Sequence, residues 1–405
     1  MSTPPADPEP TRPASAYEIL RALFPALPAE PVPVRSWRAP PEGTRRLLAV
    51  PSLRDTRMFL PAEPSRTAAA LRRARRSVDR RGRVVTAVAA AGVRLGVARS
   101  LRAHVEVPVT PDSVEAELVR LLGRPVTLAV FLGPTRANRK PVLQVIGADG
   151  VLLAVAKVGV NPLTSRLAEQ EAAALRLVGT LDLPTVVAPR LLGLLRHGGQ
   201  HVVVQSALDV PATHTGPDAA VLARVFSEIA RAGGTTHEPL ASTAYAGGLR
   251  ERVGRSLTGP LAADATAALD RAGARGRNLE MGSWHGDLSP WNLAAQGDRA
   301  LVWDWERFDG GVPVGLDALH FAFLPRLKDG DLPEAEAGRW LLERAVEVLA
   351  PVGVAGEDAG DVAMLYLVEI ATRFSGDGQA QTGIMGGDVE RWLAPALRRY
   401  LHEGG

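Results

Sequence analysis

The stretch His285-Gly286-Asp287-Leu288-Ser289-Pro290-Trp291-Asn292, with Val302-Trp303-Asp304-Trp305-Glu306 shortly after it, decides how this chain is read. Asn292 lies five residues beyond Asp287, and Asp304 twelve beyond Asn292. A five-residue step lets a tight loop turn a carboxylate and a carboxamide into one cleft. The apolar run Ala300-Leu301-Val302-Trp303 reads as a strand that delivers Asp304 beside them. A carboxylate at Asp287 can accept a hydrogen bond from an attacking hydroxyl. The oxygens of Asn292 and Asp304 are hard ligands suited to magnesium. Phosphoryl transfer asks a protein for little more than an oriented nucleophile, held phosphates and neutralised charge.

At these residues the chain resembles the catalytic loop and metal-binding segment of the aminoglycoside phosphotransferase and choline kinase group, within the protein-kinase-like superfamily. That group carries His-Gly-Asp, four residues and asparagine, then an aspartate on the next strand, and every fixed position is met. The resemblance spans about residues 126–400. It implies an α+β, protein-kinase-like bilobal fold, with an antiparallel-sheet N-lobe and a helical C-lobe, here preceded by an extra N-terminal α/β segment. It also implies ATP and Mg2+ as cofactors, Asp287 as the catalytic residue and Asn292 and Asp304 as metal ligands. His285 takes the structural role of bracing the loop. Asp317, in Gly311-Val-Pro-Val-Gly-Leu-Asp317, resembles the later aspartate that buttresses it.

Upstream, the resemblance calls for a strand lysine on the nucleotide phosphates and a helix glutamate to hold that lysine. Lys157 ends the strand-like Leu153-Ala-Val-Ala-Lys157, and Glu171 lies in the following helix. Glu169 is a rival two positions away, hence on another helix face. The phosphate-covering segment Gly133-Pro-Thr-Arg-Ala-Asn-Arg-Lys140 departs from the protein-kinase pattern, with one glycine in place of three. There Asn138, with Arg139 and Lys140, either donates to phosphate or forms a polar hairpin turn. The adenine-contacting hinge is expected at Ser206, Ala207 and Leu208, on the resemblance alone.

Composition bounds the rest. The 405 residues are 46% hydrophobic and 22% charged, as in ordinary globular chains, and the net charge of +3 does not by itself point to nucleic acid. With no cysteine, the chain has neither a disulfide framework nor a thiolate site, and a cytoplasmic location is expected. The proline-rich N-terminus lacks the pattern of a secretory signal. No uncharged apolar run reaches the roughly 18 residues of a membrane span; Val84 to Leu101 comes nearest, broken by Arg94 and Arg99. Of 47 basic residues only Lys140, Lys157 and Lys328 are lysine, so a lysine marks a place where a compact charge matters.

The chain is expected to order itself as a disordered tail (1–13), an accessory or cap unit (14–107), a strand-rich N-lobe (108–208) and a helical C-lobe (209–405). In the cap, an arginine-rich helix over 66–83 is either a weak contact for an anionic surface or a solvated face. The N-lobe reads as strands at 126–132, 142–146 and 151–157, the last two joined by an Asp-Gly hairpin, then a helix at 167–178 and a strand at 201–205. C-lobe helices are expected at 218–232, 262–272, 334–349, 361–374 and 389–401. Trp284, Trp291, Trp303 and Trp305 flank the loop, as stacking surfaces for an acceptor or as core.

These readings converge on transfer of the ATP γ-phosphate to a hydroxyl of a small molecule: a sugar, aminoglycoside, amino alcohol or glycan precursor. The alternative is a catalytically silent nucleotide-binding scaffold. Such chains usually lose the lysine, the loop aspartate or the metal aspartate, and all three are present. A third class, a binder of anionic polymer or membrane surface, rests on the arginine-rich segment alone.

Overall fold

Runs of β-branched and leucine residues punctuated by turn glycines build the first half of the chain, and small, strong helix formers the second. The computed structural model describes residues 15–30, 40–63, 66–67, 70, 104–132, 140–210, 216–329, 332–378 and 386–402. The described residues gather into two compact units. One holds those up to residue 132 together with 140–165 and 195–204; the other holds 166–194 and those from 205 onward.

The first unit is built on an eight-stranded sheet. Its strands are β1 (Thr44–Val50), β2 (Met58–Pro61), β3 (His104–Pro108), β4 (Val126–Phe131), β5 (Val142–Gly147), β6 (Leu152–Val158), β8 (Leu191–His197) and β9 (Gln200–Ser206). A short β7 (Val186–Val187) belongs elsewhere. The order is β3-β1-β2-β4-β5-β6-β9-β8, and each pair from β3 to β6 is antiparallel. The expected hairpin between β5 and β6 is present: Gly150 takes φ 78°, and Asp149 Oδ1 accepts the Val151 N–H at 3.0 Å. Helix α1 (Ala16–Leu23) begins with a capping box of Ser15 and Glu18 and buries Ile19, Leu20 and Leu23. Helix α2 (Val114–Leu122) starts on the Ser113 side chain and ends at Gly123 in the left-handed region.

The boundary expected near residue 107 falls inside this sheet. Strands β1 to β3, read from sequence as a cap, share it with β4 to β6. The arginine-rich helix lies outside the described residues except at 66, 67 and 70, as do the tail, the segment from Val84 to Leu101 and Asn138.

Helix α3 (Pro162–Val178) runs into the second unit, where α4 (Ala219–Arg231), α5 (Ala244–Ser256) and α6 (Gly259–Ala274) follow. Two three-stranded sheets follow: β10 (Thr236–Pro239), β11 (Asn278–Trp284) and β14 (Asp309–Pro313) in one, β12 (Leu293–Gln296), β13 (Arg299–Val302) and β7 in the other. Then come α7 (Leu316–Asp329), α8 (Glu334–Glu343), α9 (Ala345–Leu349), α10 (Gly356–Gly376) and α11 (Val389–His402). An antiparallel sheet ahead of a helical C-terminal region is the α+β order that the kinase-like reading expects. Every residue of α10 from 361 to 372 is buried, as befits a central helix. Phe323 packs edge-on to Tyr366 and to Trp392, at centroid distances of 5.9 and 5.4 Å. Among the described residues no helix is long and apolar enough to cross a membrane.

Three helices escape the sequence pattern, α2, α5 and α7. Helix α5 carries Gly247, Gly248 and Gly254, which depress local helix propensity, and α7 contains Pro325. The single helix expected over 334–349 is two, because Arg344 leaves helical geometry (φ −99°, ψ 2°) between α8 and α9.

Gly338 of α8 faces α11 so closely that a Cβ there would meet the Trp392 carbonyl oxygen at 2.3 Å, whereas a Cβ at Gly360 of α10 would meet nothing within 4 Å. We therefore expect Gly338→Ala to destabilise the protein by about 1–3 kcal/mol through overpacking. Gly360→Ala should stabilise it by about 0.5–1 kcal/mol through helix propensity. Urea midpoints at constant m-value measure both; equal signs would contradict the α8–α11 packing.

Candidate active site

Strand β11 ends at Trp284, and the chain leaves it through a loop that nearly every neighbour braces. The His285 N–H donates to Asp317 Oδ2 at 2.7 Å, and the Gly286 N–H to Asp317 Oδ1 at 3.1 Å. Asp317 stands in the first turn of α7, so one helix end fixes two consecutive peptide groups. Burial pushes its carboxyl up to about 7, against the pull of both amides and the Arg373 guanidinium. On the other side, Arg373 Nη1 donates to the Gly286 carbonyl at 2.5 Å. Gly286 itself has φ 80°, and a Cβ on it would lie 2.2 Å from the Arg307 carbonyl oxygen. Only glycine fits, which explains the second letter of the motif.

His285 is fully buried, its ring 4.6 Å from that of Trp305. Nδ1 lies 3.3 Å from the Asp287 N–H and Nε2 3.2 Å from the Trp303 carbonyl. A neutral ring satisfies both, accepting at Nδ1 and donating at Nε2. Burial lowers its pKa to about 4, although Asp287 and Asp304 pull the other way. The ring thus ties the loop to the strand end that follows it.

Asp287 is held at both oxygens. Asn292 Nδ2 donates to Oδ2 at 3.0 Å and to the Asp287 carbonyl at 2.8 Å, and His320 Nε2 stands 3.2 Å from Oδ1. A third of the Asp287 side chain is still exposed, so the carboxylate can be reached. Burial would raise its pKa, but the His320 hydrogen bond and the charges of Arg373 and Lys328 outweigh this and hold it well below the usual carboxylate range. It is an ionised acceptor at neutral pH.

The twelve-residue gap is the length of a hairpin. β12 and β13 pair with Leu293 opposite Val302, and the Trp303 N–H donates to the Asn292 carbonyl at 3.1 Å, closing the base. Asn292, its amide nitrogen spent on Asp287, offers its amide oxygen. Just past the hairpin, Asp304 takes φ 75° and ψ 52°, which no other non-glycine residue does among those described. Aspartate tolerates this left-handed region better than most side chains. Single carboxylate oxygens of Asp304, Glu306 and the fully buried Glu171 lie within 4.8 Å of one another. Three clustered acidic groups repel, and hard oxygen donors in such a group suit Mg2+, so these residues with Asn292 could hold it.

Glu171 is buried on α3 while its rival Glu169 is exposed, which separates the two faces. In the first unit, Lys157 is buried near the end of β6, opposite Val142 of β5. At Ser206 the N–H bonds the Arg190 carbonyl at 2.8 Å and Oγ accepts the Arg190 N–H at 2.9 Å. The chain there pairs as a strand end, which residue type alone could not reveal. Leu208 packs beside Val210, Ala294 and Leu301.

Trp284 and Trp305 are core, whereas Trp291 is 37% exposed, with the Lys328 ammonium 4.5 Å from its ring centroid. A cavity of about 220 Å³ in this unit is lined by Tyr245, Arg252, Trp284, Asp309 and Glu369 among others. Sequence reasoning missed His320, Arg373, Lys328 and Glu306 as members of the site. Glu306 alone left a local signal, two residues beyond Asp304; the others sit on distant helices.

No protein-family model matches the sequence, and neither does any curated protein. Solved structures do align with it. A thermostable mutant of aminoglycoside phosphotransferase APH(4)-Ia, in ternary complex with ADP and hygromycin B, shares 14% identity at a TM-score of 0.47, over 73% of this chain and 99% of that one. Macrolide 2'-phosphotransferase MphH from Brachybacterium faecium shares 16% identity at a TM-score of 0.41, over 71% and 97%. The GDP and kanamycin complex of APH(2")-IIia shares 16% identity at 0.42, over 69% and 94%. At these values the likeness fixes neither an activity nor a substrate.

The geometry of His285 sets a pH dependence. Its folded pKa of about 4 lies below the 6.5 of a free histidine, so the unfolded chain takes up a proton that the folded one refuses. This contribution is complete above about pH 6.5 and is lost as the pH falls toward 4, by roughly 3 kcal/mol. Asp317, raised to about 7, gains stability as the pH falls over the same range, so the His285 share is the difference between wild type and His285→Gln in urea unfolding at pH 7.5 and 4.5, the wild type changing more unfavourably. An equal change in the variant would show that His285 is not the group responsible.

Proposed function

We propose that the chain is an ATP- and Mg2+-dependent phosphotransferase that moves the γ-phosphate to a hydroxyl of a small molecule. The observation that carries this reading is an ionised, reachable carboxylate at Asp287, fixed by Asn292 and standing in the same unit as the Asp304 hairpin end. Asp287 orients the acceptor hydroxyl and takes its proton. The Asn292 oxygen and the Asp304 carboxylate hold the metal, with Glu306 beside them. Mg2+ bound by these oxygens supplies neutralisation of phosphate charge. Lys157 grips the nucleotide phosphates, and Glu171 steadies that lysine. Asn138 adds a phosphate contact, and the chain at Ser206 to Leu208 flanks the base.

The cytoplasm, where ATP is abundant, is the compartment this chemistry needs.

Two measurements test the reading. Turnover of labelled MgATP against a panel of sugars, aminoglycosides, amino alcohols and glycan precursors should find an acceptor. On it Asp287→Asn should lose about 10²- to 10⁴-fold in kcat with nucleotide affinity little changed; unchanged turnover would remove Asp287 from this role. Independently of activity, Mg2+ with ATP should raise the melting temperature of the wild-type protein, and Asp304→Asn should abolish the metal-dependent part. A full Mg2+ response in that variant would place the metal elsewhere.

A further inference from the structure

His320 occupies no position in the motif from which the site was read, yet it touches the carboxylate at its centre. It sits on α7 three residues after Asp317, so the two side chains share one helix face. It has no exposed surface. Nε2 is 3.2 Å from Asp287 Oδ1, and Nδ1 is 3.0 Å from the hydroxyl of Tyr366, itself fully buried on α10. The imidazole and phenol rings stand nearly perpendicular, at 80° with centroids 5.9 Å apart.

The chain of donors runs in one direction. The ionised Asp287 carboxylate can only accept, so Nε2 must carry the ring proton, aimed at Oδ1. A neutral ring then has a bare Nδ1, to which the Tyr366 phenol, kept protonated by burial, donates. Burial also lowers the His320 pKa, so the ring that donates is neutral. A neutral donor orients the carboxylate without the full ion pair that would weaken it as a proton acceptor.

Rotation of a carboxyl about its last bond is soft, with broad wells. Asn292 alone would leave Asp287 a pivot on Oδ2; a second donor on Oδ1 removes that freedom while leaving a further lone pair on each oxygen. Resting on the phosphotransfer reading above, we propose that His320, its bare Nδ1 held by Tyr366, is a positioning residue that locks the Asp287 carboxylate in the orientation that receives the acceptor hydroxyl. Helices α7 and α10 each serve the loop twice. Asp317 and His320 come from α7, and Tyr366 and Arg373, seven residues apart on one face, come from α10.

The test uses the full chain. Misplacing a reacting group by an ångström can cost about 10²-fold, so His320→Leu should lower kcat by about 10- to 100-fold while the KM for MgATP stays within about twofold. His320→Gln, whose amide can donate from near the Nε2 position, should restore most of kcat, and Tyr366→Phe should fall between. A His320→Leu enzyme with unchanged kcat, or a folded His320→Gln enzyme as slow as His320→Leu, overturns the proposal. Nitrogen-15 NMR of histidine-labelled wild-type protein at pH 7.5 gives a readout free of turnover. The signal lost in His320→Gln should show a protonated Nε2 and a bare Nδ1; a proton on Nδ1, or a doubly protonated ring, overturns the proposal even where Leu variants do not fold. If Asp287→Asn keeps full activity, the phosphotransfer reading fails instead, and the tautomer result is judged on its own.

Discussion

The backbone amides of His285 and Gly286 end on the two oxygens of Asp317, and the rest of the loop depends on that pairing. A loop that leaves a strand carries peptide groups with no ladder partner, and buried ones must be satisfied somewhere. A single carboxylate at a helix start can take two at once, and the positive end of the helix favours the charge it needs. Once those peptide planes are fixed, Gly286 must adopt its left-handed turn, and the Asp287 side chain has one direction of exit. The Arg373 contact to the Gly286 carbonyl seals the same turn from the opposite helix.

Charge is arranged around this frame by subtraction. Both histidines near Asp287 are buried, and burial favours the neutral ring, so neither competes as a base and both serve as directed donors or acceptors. Positive charge comes from Arg373 and Lys328, which help keep Asp287 ionised despite burial. Aspartate at neutral pH is a weak base in bulk water, so in the proposed phosphotransfer its usefulness would lie in geometry. A carboxylate that cannot turn would cost no reorganisation when a hydroxyl arrived. That is why the hydrogen bonds to each of its oxygens would matter more than its basicity.

The motif was legible in the sequence because its residues are local. His285 to Asn292 and Asp304 lie in one loop and one hairpin, where spacing maps directly onto space, and Gly286 is demanded by a backbone angle that only sequence position specifies. The β5–β6 hairpin was legible for the same reason, through its Asp-Gly turn. The sharing of one sheet by β1 to β3 with β4 to β6 was not, since strand pairing over long separations leaves no mark in a single strand's pattern. Helix α7 stayed hidden behind Pro325 and α5 behind three glycines, because tertiary burial overrode weak propensity in both. His320 was invisible in consequence, whereas Arg373 lay on an expected helix and Lys328 was a noted lysine, and only their long-range contacts to the loop left no mark in the sequence. At Ser206, placed near the base by resemblance, the N–H bonds the Arg190 carbonyl, a pairing that the sequence does not show.

Hiding the supporting residues on helices has a physical logic. A loop can present functional groups but cannot hold them, because its own hydrogen bonds are few and exposed. Helix α10, buried along twelve consecutive residues, can hold them, since moving it would open the whole core around Phe323 and Trp392. The strained backbone at Asp304 points the same way. A left-handed aspartate persists only where its surroundings over-determine it, and here it follows directly on the paired β12–β13 hairpin. The packed helices thus stand around a left-handed turn at Gly286, an off-region dihedral at Asp304 and the neighbouring carboxylates of Asp304, Glu306 and Glu171.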